Sequence, residues 1–136
     1  MTRPLILVVD DQQYVAQAAR QLLEYAGMDV VVATSPAEAT AIWESRKCDV
    51  KLLVADFDLQ DSVTGEQLAK KFEADKPSLR SLIVTARSLD YQAFPGRTEG
   101  VDFVQKPWNS SALIAAVRWL LKNQEQGTVA PEALAC

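Results

Sequence analysis

A short apolar run at residues 52–55 ends abruptly at the carboxylate of Asp56. A continuous apolar run of this length is typical of a strand that is buried on both faces of a parallel sheet. An ionised carboxylate at the end of such a strand is unfavourable unless water, a positive charge or a cation stabilises it. Ligands of open α/β sheets bind at the carboxyl ends of the strands. Asp56 is therefore the first candidate for a functional residue.

Similar apolar runs recur along the chain and alternate with segments of helical periodicity. The apolar runs at residues 5–9 and 30–33 predict two further strands. Residues 79–85, which are centred on the apolar run 82–84, and residues 102–105 predict the other two. Strands that alternate with helices predict a parallel sheet with helices on both faces. Because crossovers between parallel strands are right-handed, such a sheet is doubly wound. We therefore predict an α/β fold with a doubly wound, five-stranded parallel sheet. For its strand order we take 2-1-3-4-5, which is one of the common orders of such sheets.

Capping signals mark where two of the helices begin. Ser35 precedes a proline and lies three residues before Glu38, which predicts a capping box. Thr64 and Gln67 have the same spacing around a glycine and predict a second capped helix start. These signals indicate that the loops after the second and third strands lead directly into helices.

The last part of the chain is less regular. Residues 89–98 predict a short, imperfect helix, because Pro95 and Gly96 interrupt it. A final amphipathic helix follows the fifth strand. The chain then becomes polar and rich in small residues, which predicts a flexible tail or the stub of a linker. The predicted organisation is one domain over residues 1–122 and a tail over residues 123–136.

Composition excludes several classes of function. The 136 residues suit one domain, and a formal net charge of −4 without a basic stripe argues against direct nucleic-acid binding. No apolar stretch is long enough to span a bilayer and no leader opens the chain, so we predict a cytoplasmic protein without membrane attachment. Cys48 and Cys136 predict free thiols. The absence of histidine excludes Ser-His-Asp and Cys-His catalysis and favours an oxygen-ligated metal such as Mg²⁺, Mn²⁺ or Ca²⁺.

Polar residues follow four of the predicted strands. They are Asp10 and Asp11 after the first strand, Asp56 after the third, Thr85 after the fourth and Lys106 after the fifth. The first and third strands flank the switch point of the predicted sheet, so these side chains are expected to converge. Three carboxylates would repel one another without a cation, and Mg²⁺ binds carboxylates together with phosphate oxygens. The set predicts a site where Asp56 attacks phosphorus while Lys106 and Thr85 hold the product.

Each of these residues also has an ordinary structural interpretation. Asp10 and Asp11 suit a helix N-terminus, where negative charge is favourable. Lys106 suits a solvated strand end, and Thr85 suits an ordinary strand end or helix cap. Four such coincidences at one edge of a sheet favour a functional site over the separate structural interpretations.

Five motifs occur in a characteristic order along residues 5–122. They are Val8-Val9-Asp10-Asp11, Asp56 after an apolar strand, Gly65, Val84-Thr85-Ala86 and Phe103-Val104-Gln105-Lys106-Pro107. In this order, they make the chain resemble the receiver domain of two-component response regulators, which implies the flavodoxin-like fold of that family. The interval from Asp56 to Gly65 is one residue longer than in most single-domain receivers, and is similar to that in receivers of hybrid sensor kinases.

The resemblance assigns a metal and phosphoryl site. Asp56 is implied to be the phosphoacceptor, Asp11 a direct ligand of Mg²⁺, and Asp10 a ligand that acts through water. The backbone carbonyl of Asp58 is implied to complete the protein ligands, with Mn²⁺ as an alternative metal.

The resemblance also implies a switch. Thr85 is the switch hydroxyl, Phe103 the switch aromatic, and Lys106 the partner of the phosphoryl oxygens. A phenylalanine at the aromatic position departs from the more frequent tyrosine. The interval from Thr85 to Lys106 is one residue shorter than usual, which affects the predicted helix over residues 89–98.

The implied function is a phosphoacceptor switch of a two-component phosphorelay. A sensor histidine kinase or a phosphotransfer protein would phosphorylate Asp56, and the output would be contact with a downstream protein, with a homodimer left open. The chain is then no enzyme beyond its own phosphoryl transfer and autodephosphorylation. One alternative is a pseudo-receiver that keeps the fold and ignores phosphate. The other is an aspartyl-nucleophile phosphohydrolase, since Asp56 and Asp58 match the Asp-x-Asp element of haloacid-dehalogenase-like phosphatases, although that element normally ends the first strand.

Overall fold

The computed structural model describes residues 3–59, 62–85, 101–105 and 110–125. Strands and helices alternate over these ranges. They are β1 (Leu5–Val9), α1 (Gln13–Tyr25), β2 (Asp29–Ala33), α2 (Pro36–Arg46), β3 (Val50–Asp56), α3 (Gly65–Asp75), β4 (Arg80–Thr85), β5 (Val101–Gln105) and α4 (Ser110–Glu125). The helix predicted over residues 89–98 lies outside the described residues. None of the described helices is both long and apolar enough to cross a membrane.

The strands form one sheet in which every neighbouring pair is parallel. The strands β2-β1-β3-β4 adjoin in that order, and β5 lies beside β4 at the far edge. The chain therefore moves outward from β1 to β2 and then crosses back past β1 to β3. The predicted α/β class and the parallel sheet are confirmed. The reversal of direction lies between β1 and β3, which places a crevice at their carboxyl ends.

The sheet separates two apolar cores, because successive side chains of a strand point to opposite faces. On one face, Trp43 of α2 and Phe72 of α3 stack, with ring centroids 4.5 Å apart. On the other face, Leu23 of α1 packs in the same cluster as Leu113 and Val117 of α4. Helices thus cover both faces of the sheet, as the alternating sequence pattern predicts.

The two predicted capping boxes differ in the structure. At α3, the Thr64 side chain accepts a hydrogen bond from Gln67 N, and the Gln67 side chain accepts one from Thr64 N, both at 3.0 Å. At α2, Ser35 Oγ accepts from Glu38 N at 3.1 Å, but the Glu38 carboxylate accepts from Thr34 N instead of Ser35 N. The predicted box at α2 is therefore only half formed. Thr34 follows the edge strand β2, so its N–H has no further strand to bond and is available to Glu38.

Two basic residues stabilise helix ends in ways that the sequence pattern did not predict. Arg3 donates hydrogen bonds to the carbonyls of Glu24, Gly27 and Met28 just where α1 ends, at 3.0–3.1 Å. The buried Lys76 follows α3, and its Nζ donates to the carbonyls of Lys47, Cys48 and Val50 at 3.0, 3.3 and 2.8 Å. Lys76 thereby ties the end of α3 to the turn between α2 and β3.

The final helix is longer than expected. It continues through residues 123–125, which belong to the predicted tail. Glutamine and glutamate are good helix formers and need no burial, so polarity alone did not mark the end of this helix. Residues 126–136 of the predicted tail lie outside the described part of the chain.

Candidate phosphoryl and metal site

Three carboxylates meet at the carboxyl ends of β1 and β3. Val9 lies opposite Ala55 in the parallel register, so the residues that follow each of them are neighbours. Carboxylate oxygens of Asp10, Asp11 and Asp56 all lie within 4.8 Å of one another. Asp10 is 5% exposed and Asp56 9%, whereas Asp11 is half-buried. The structure thus brings together the three acidic residues that the sequence placed at this edge.

Local hydrogen bonds hold Asp10 in position. Its Oδ1 accepts from Gln12 N at 2.9 Å, and its own N–H donates to the carbonyl of Ala33 at 3.1 Å. The first bond supports the ordinary interpretation of Asp10 as a residue that stabilises the entry into α1. That interpretation does not account for the approach of Asp11 and Asp56 to the same point.

The backbone after Asp56 is held from two sides. Phe57 N donates to the carbonyl of Val84 in β4 at 2.8 Å, and Gly65 N donates to the carbonyl of Phe57 at 2.9 Å. The start of α3 lies so close to β3 that an added Cβ at Gly65 would overlap the carbonyl oxygen of Asp56. Gly65 is therefore required by a close backbone approach, and α3 begins in direct contact with Asp56.

The loop after Asp56 folds back on itself. Asp58 pairs with Thr64 in an antiparallel bridge, and Leu59 N donates to the carbonyl of Val63 at 3.3 Å. Asp58 is exposed, and its carboxylate does not belong to the acidic cluster. The sequence predicts the backbone carbonyl of Asp58, and not its side chain, as a metal ligand. The exposed side chain therefore does not test that prediction.

The other expected site residues are placed only by the backbone or lie outside the described residues. Asp56 lies level with Val84 across β3 and β4, so Thr85 ends β4 one residue beyond that level. Phe103 of β5 lies opposite Ile83 of β4. Lys106 falls in the range 106–109, which is outside the described residues.

The carboxylates lie above an apolar floor. A cavity of about 10 Å³ beneath them is lined by apolar residues of α1, β1, β3, β4 and α4 in addition to Asp10 and Asp56. This volume corresponds to about one water molecule. With little solvent below, the mutual repulsion of the carboxylates is poorly screened, which favours a cation bound from the open side. Hard carboxylate oxygens suit Mg²⁺, which binds one or two carboxylates directly and fills its remaining positions with water and phosphate oxygens.

One exposed surface was not predicted from the sequence. It is a stripe on α1 that begins next to this site. We call Tyr14, Ala18, Gln21 and Tyr25 the α1 stripe; it contains no charged residue. Tyr14 is 75% exposed and Tyr25 91% exposed. The stripe begins three residues after Asp11. The signal in the sequence was the spacing of these residues, which places them on one side of the helix opposite its buried positions.

Comparisons with known proteins agree with this geometry. The family model described as the response regulator receiver domain matches residues 6–118. Response regulator SaeR of Staphylococcus aureus (strain USA300) is 25% identical over 122 residues, which cover 89% of this chain and 52% of SaeR. The chain thus spans about half the length of the curated relatives it matches.

Solved structures show the same architecture. The CheY-like response regulator receiver domain protein from Methanospirillum hungatei JF-1 has a TM-score of 0.82 and 26% identity, over 92% of this chain and 98% of that one. The response regulator receiver domain protein from Clostridium thermocellum has a TM-score of 0.81 and 22% identity, over 90% and 97%. These likenesses confirm the flavodoxin-like receiver fold. With its family match over most of its length, the chain belongs to the response regulator receiver domains of two-component systems.

Proposed function

We propose that this domain is a phosphorylation-controlled switch in which Asp56 accepts a phosphoryl group from a phosphohistidine. The donor is a sensor histidine kinase or a phosphotransfer protein, and the output is contact with a downstream protein in the cytoplasm. The observation that carries the proposal is the cluster of Asp10, Asp11 and Asp56, whose carboxylate oxygens lie within 4.8 Å of one another. Asp10 and Asp56 also line the small apolar cavity beside the cluster.

The chemistry follows from the position of Asp56. A carboxylate oxygen of Asp56 attacks phosphorus, the bond from phosphorus to the histidine nitrogen breaks, and an acyl phosphate forms on Asp56. Asp11 would hold the metal directly and Asp10 through water, and the backbone carbonyl of Asp58 would be a further ligand. Mg²⁺ supplies charge neutralisation for the phosphoryl oxygens when it is bound, and Mn²⁺ can replace it.

The switch depends on residues of the last two strands. In the proposal, Lys106 pairs with a phosphoryl oxygen and the hydroxyl of Thr85 moves toward the phosphoryl group. Phe103 changes its rotamer with Thr85 and alters the surface that a downstream protein contacts. The domain then acts on itself, by accepting and later hydrolysing its phosphoryl group, and on no separate substrate.

The α1 stripe supports a protein as the phosphoryl donor. A phosphohistidine has to come within bonding distance of Asp56, so its protein has to cover the rim of the site. The stripe begins at that rim with Tyr14 and continues along α1 away from it, and its exposed tyrosines and lack of charge are typical of a protein interface. We infer that the donor contacts the α1 stripe.

The test uses acetyl phosphate as a small phosphoryl donor. We expect Mg²⁺-dependent modification of the wild type by acetyl phosphate, detected by mass spectrometry, and none in Asp56→Asn. Asp49→Asn, an exposed aspartate at the amino end of β3, serves as the matched control and should be modified like the wild type. Absence of Mg²⁺-dependent modification in the wild type would support the pseudo-receiver instead.

The phosphohydrolase alternative is disfavoured by one feature. That chemistry needs the side chain of the second aspartate close to the first, whereas the carboxylate of Asp58 is exposed and outside the acidic cluster. Steady turnover of a phosphomonoester that is lost in Asp58→Asn would reverse this conclusion.

A further inference from the structure

Two buried polar atoms on α3 and β4 have no hydrogen-bond partner. Within the described residues, they are Oε2 of Glu73 and Oγ of Ser81. Ser81 is fully buried at the second position of β4. Only residues 76–79 connect α3 to β4, so Glu73 and Ser81 lie at the same end of the sheet. Buried polar atoms without a partner are rare in folded proteins and call for an explanation.

Positive charges near Glu73 do not keep it ionised. Among the described residues, Arg80 at the start of β4 and Lys70 on α3 both act on its carboxyl, and both lower its pKa. Lys70 is also paired with Glu66, with Nζ and Oε1 3.3 Å apart, so its charge is shared. Burial outweighs both effects and raises the pKa of Glu73 to about 7. Glu73 therefore changes its protonation state near neutral pH.

The opposite end of the same helix touches Asp56. Gly65 starts α3 in contact with the Asp56 carbonyl, and its N–H donates to Phe57. The capping box of Thr64 and Gln67 makes the start of the helix continuous with this contact. Because α3 is a single helix of 11 residues, a rigid-body shift of its last turns would move its start as well.

We propose that Glu73 is a proton-binding group through which pH controls the packing of α3 on β4 and, through Gly65, the position of Asp56. The proposal rests on the proposed function, because it makes phosphoryl acceptance at Asp56 dependent on pH. When Glu73 carries a proton, its carboxyl is neutral, and a buried neutral group costs less than a buried charge. When Glu73 is ionised, its buried oxygen requires water, and α3 has to move outward to admit it.

The direct test is an NMR titration without metal or phosphoryl donor. We expect the side-chain carboxyl of Glu73 to titrate near neutral pH, and the backbone amides of Asp56, Phe57 and Gly65 to shift with the same midpoint. In Glu73→Gln these amide transitions should disappear. In Glu44→Gln, which removes an exposed carboxylate of α2, they should persist. Titration of Glu73 in the ordinary range of a solvated glutamate, or amide transitions that survive in Glu73→Gln, would overturn the proposal.

A second measurement tests whether the protonation of Glu73 affects binding at Asp56. We expect the affinity for beryllofluoride with Mg²⁺ to fall several-fold in the wild type, relative to Glu73→Gln, between about pH 6 and about pH 8. Comparing the two proteins cancels titrations that they share. A constant affinity ratio over this range would contradict the coupling. If neither protein binds beryllofluoride at any pH, the proposed function fails, and the metal-free titration still decides the role of Glu73.

Discussion

At the scale of single residues, Gly65 shows how a neighbouring backbone determines a side chain. Its Cα lies against the carbonyl of Asp56, where an added Cβ would overlap the oxygen and approach Ala55 Cβ to 3.3 Å. The position tolerates no side chain even though alanine is otherwise the better helix former. The glycine is thus part of the site without offering any functional group.

We predict that Gly65→Ala destabilises the domain by about 1–3 kcal/mol, as overpacking in a tight contact does. It should also weaken beryllofluoride binding, because Asp56 has to move. Urea unfolding and a binding titration measure the two effects. Gly27→Ala is the matched control: Gly27 has a φ of 100° with open space around it, so alanine strains the backbone there without touching the site. Equal effects of both variants on binding would contradict the assigned role of Gly65.

A second prediction at this scale concerns Glu73 and the dependence of the free energy of unfolding on pH. Its pKa rises from 4.5 to about 7 on folding, so the folded state holds the proton more tightly and loses stability as pH rises through that range. Glu73→Gln removes this loss. We expect a gain in the free energy of unfolding on the order of 1 kcal/mol above neutral pH, after allowing for solvent screening, and no gain near pH 4.5. Urea unfolding over this pH range checks it, and a gain that is independent of pH would contradict it.

Some site residues could be predicted from the sequence and others could not. Asp10, Asp11 and Asp56 stand out because each follows an apolar run, and a parallel sheet brings the ends of such runs together. The need for a glycine at position 65 and the burial of Glu73 depend on contacts with residues that are distant in sequence. No local pattern shows such contacts.

At the scale of secondary-structure elements, α2 and α3 are joined at the end of the sheet remote from Asp56. Trp43 stacks on Phe72 and donates from its Nε1 to Asp75 at 2.9 Å. Lys76 adds three hydrogen bonds to backbone carbonyls of the turn after α2. Sequence patterns locate these helices but not this connection, because a lysine after a helix ordinarily predicts a solvated charge.

We predict that Lys76→Met destabilises the domain by about 2–4 kcal/mol. Methionine keeps most of the apolar stem but leaves buried carbonyls without their charged donor. Lys71→Met, at an exposed position of α3, is the control and should change stability by less than about 0.5 kcal/mol. Chemical denaturation of the two variants measures the difference. Similar stabilities would show that the three hydrogen bonds contribute little.

At the scale of the whole molecule, the sequence predicts the strands and layers of the fold better than the ends of its helices. The long apolar runs predict the buried strands well, because few other structures bury every residue of a segment. The same alternation predicts helices on both faces, and the structure has them. Helix ends were predicted less well, as at Ser35 and in the extension to Glu125, because side-chain bonds and solvated turns decide them.

The cluster of Asp10, Asp11 and Asp56 leads us to predict that Mg²⁺ stabilises the fold. A ligand that binds only the folded state raises the free energy of unfolding by about 2.7 kcal/mol at a hundred times its Kd. We expect Mg²⁺ to raise the thermal midpoint of the wild type and to lose most of this effect in Asp11→Asn. In Asp49→Asn, the effect should be the same as in the wild type. A Mg²⁺ effect of equal size in Asp11→Asn would exclude Asp11 as a ligand.

The separation of the two cores by the sheet has a consequence for combined mutations. Phe72 packs on one face and Leu113 on the other, and they belong to different clusters. Substitutions that share no neighbours have additive effects on folding free energy. A double-mutant cycle of Phe72→Leu and Leu113→Ala should therefore show a coupling energy close to zero. By contrast, a cycle of Trp43→Phe and Phe72→Leu, within one stacked pair, should show clear coupling. In thermodynamic terms, we expect substitutions in the two cores to act on stability separately, although both cores pack on the same strands.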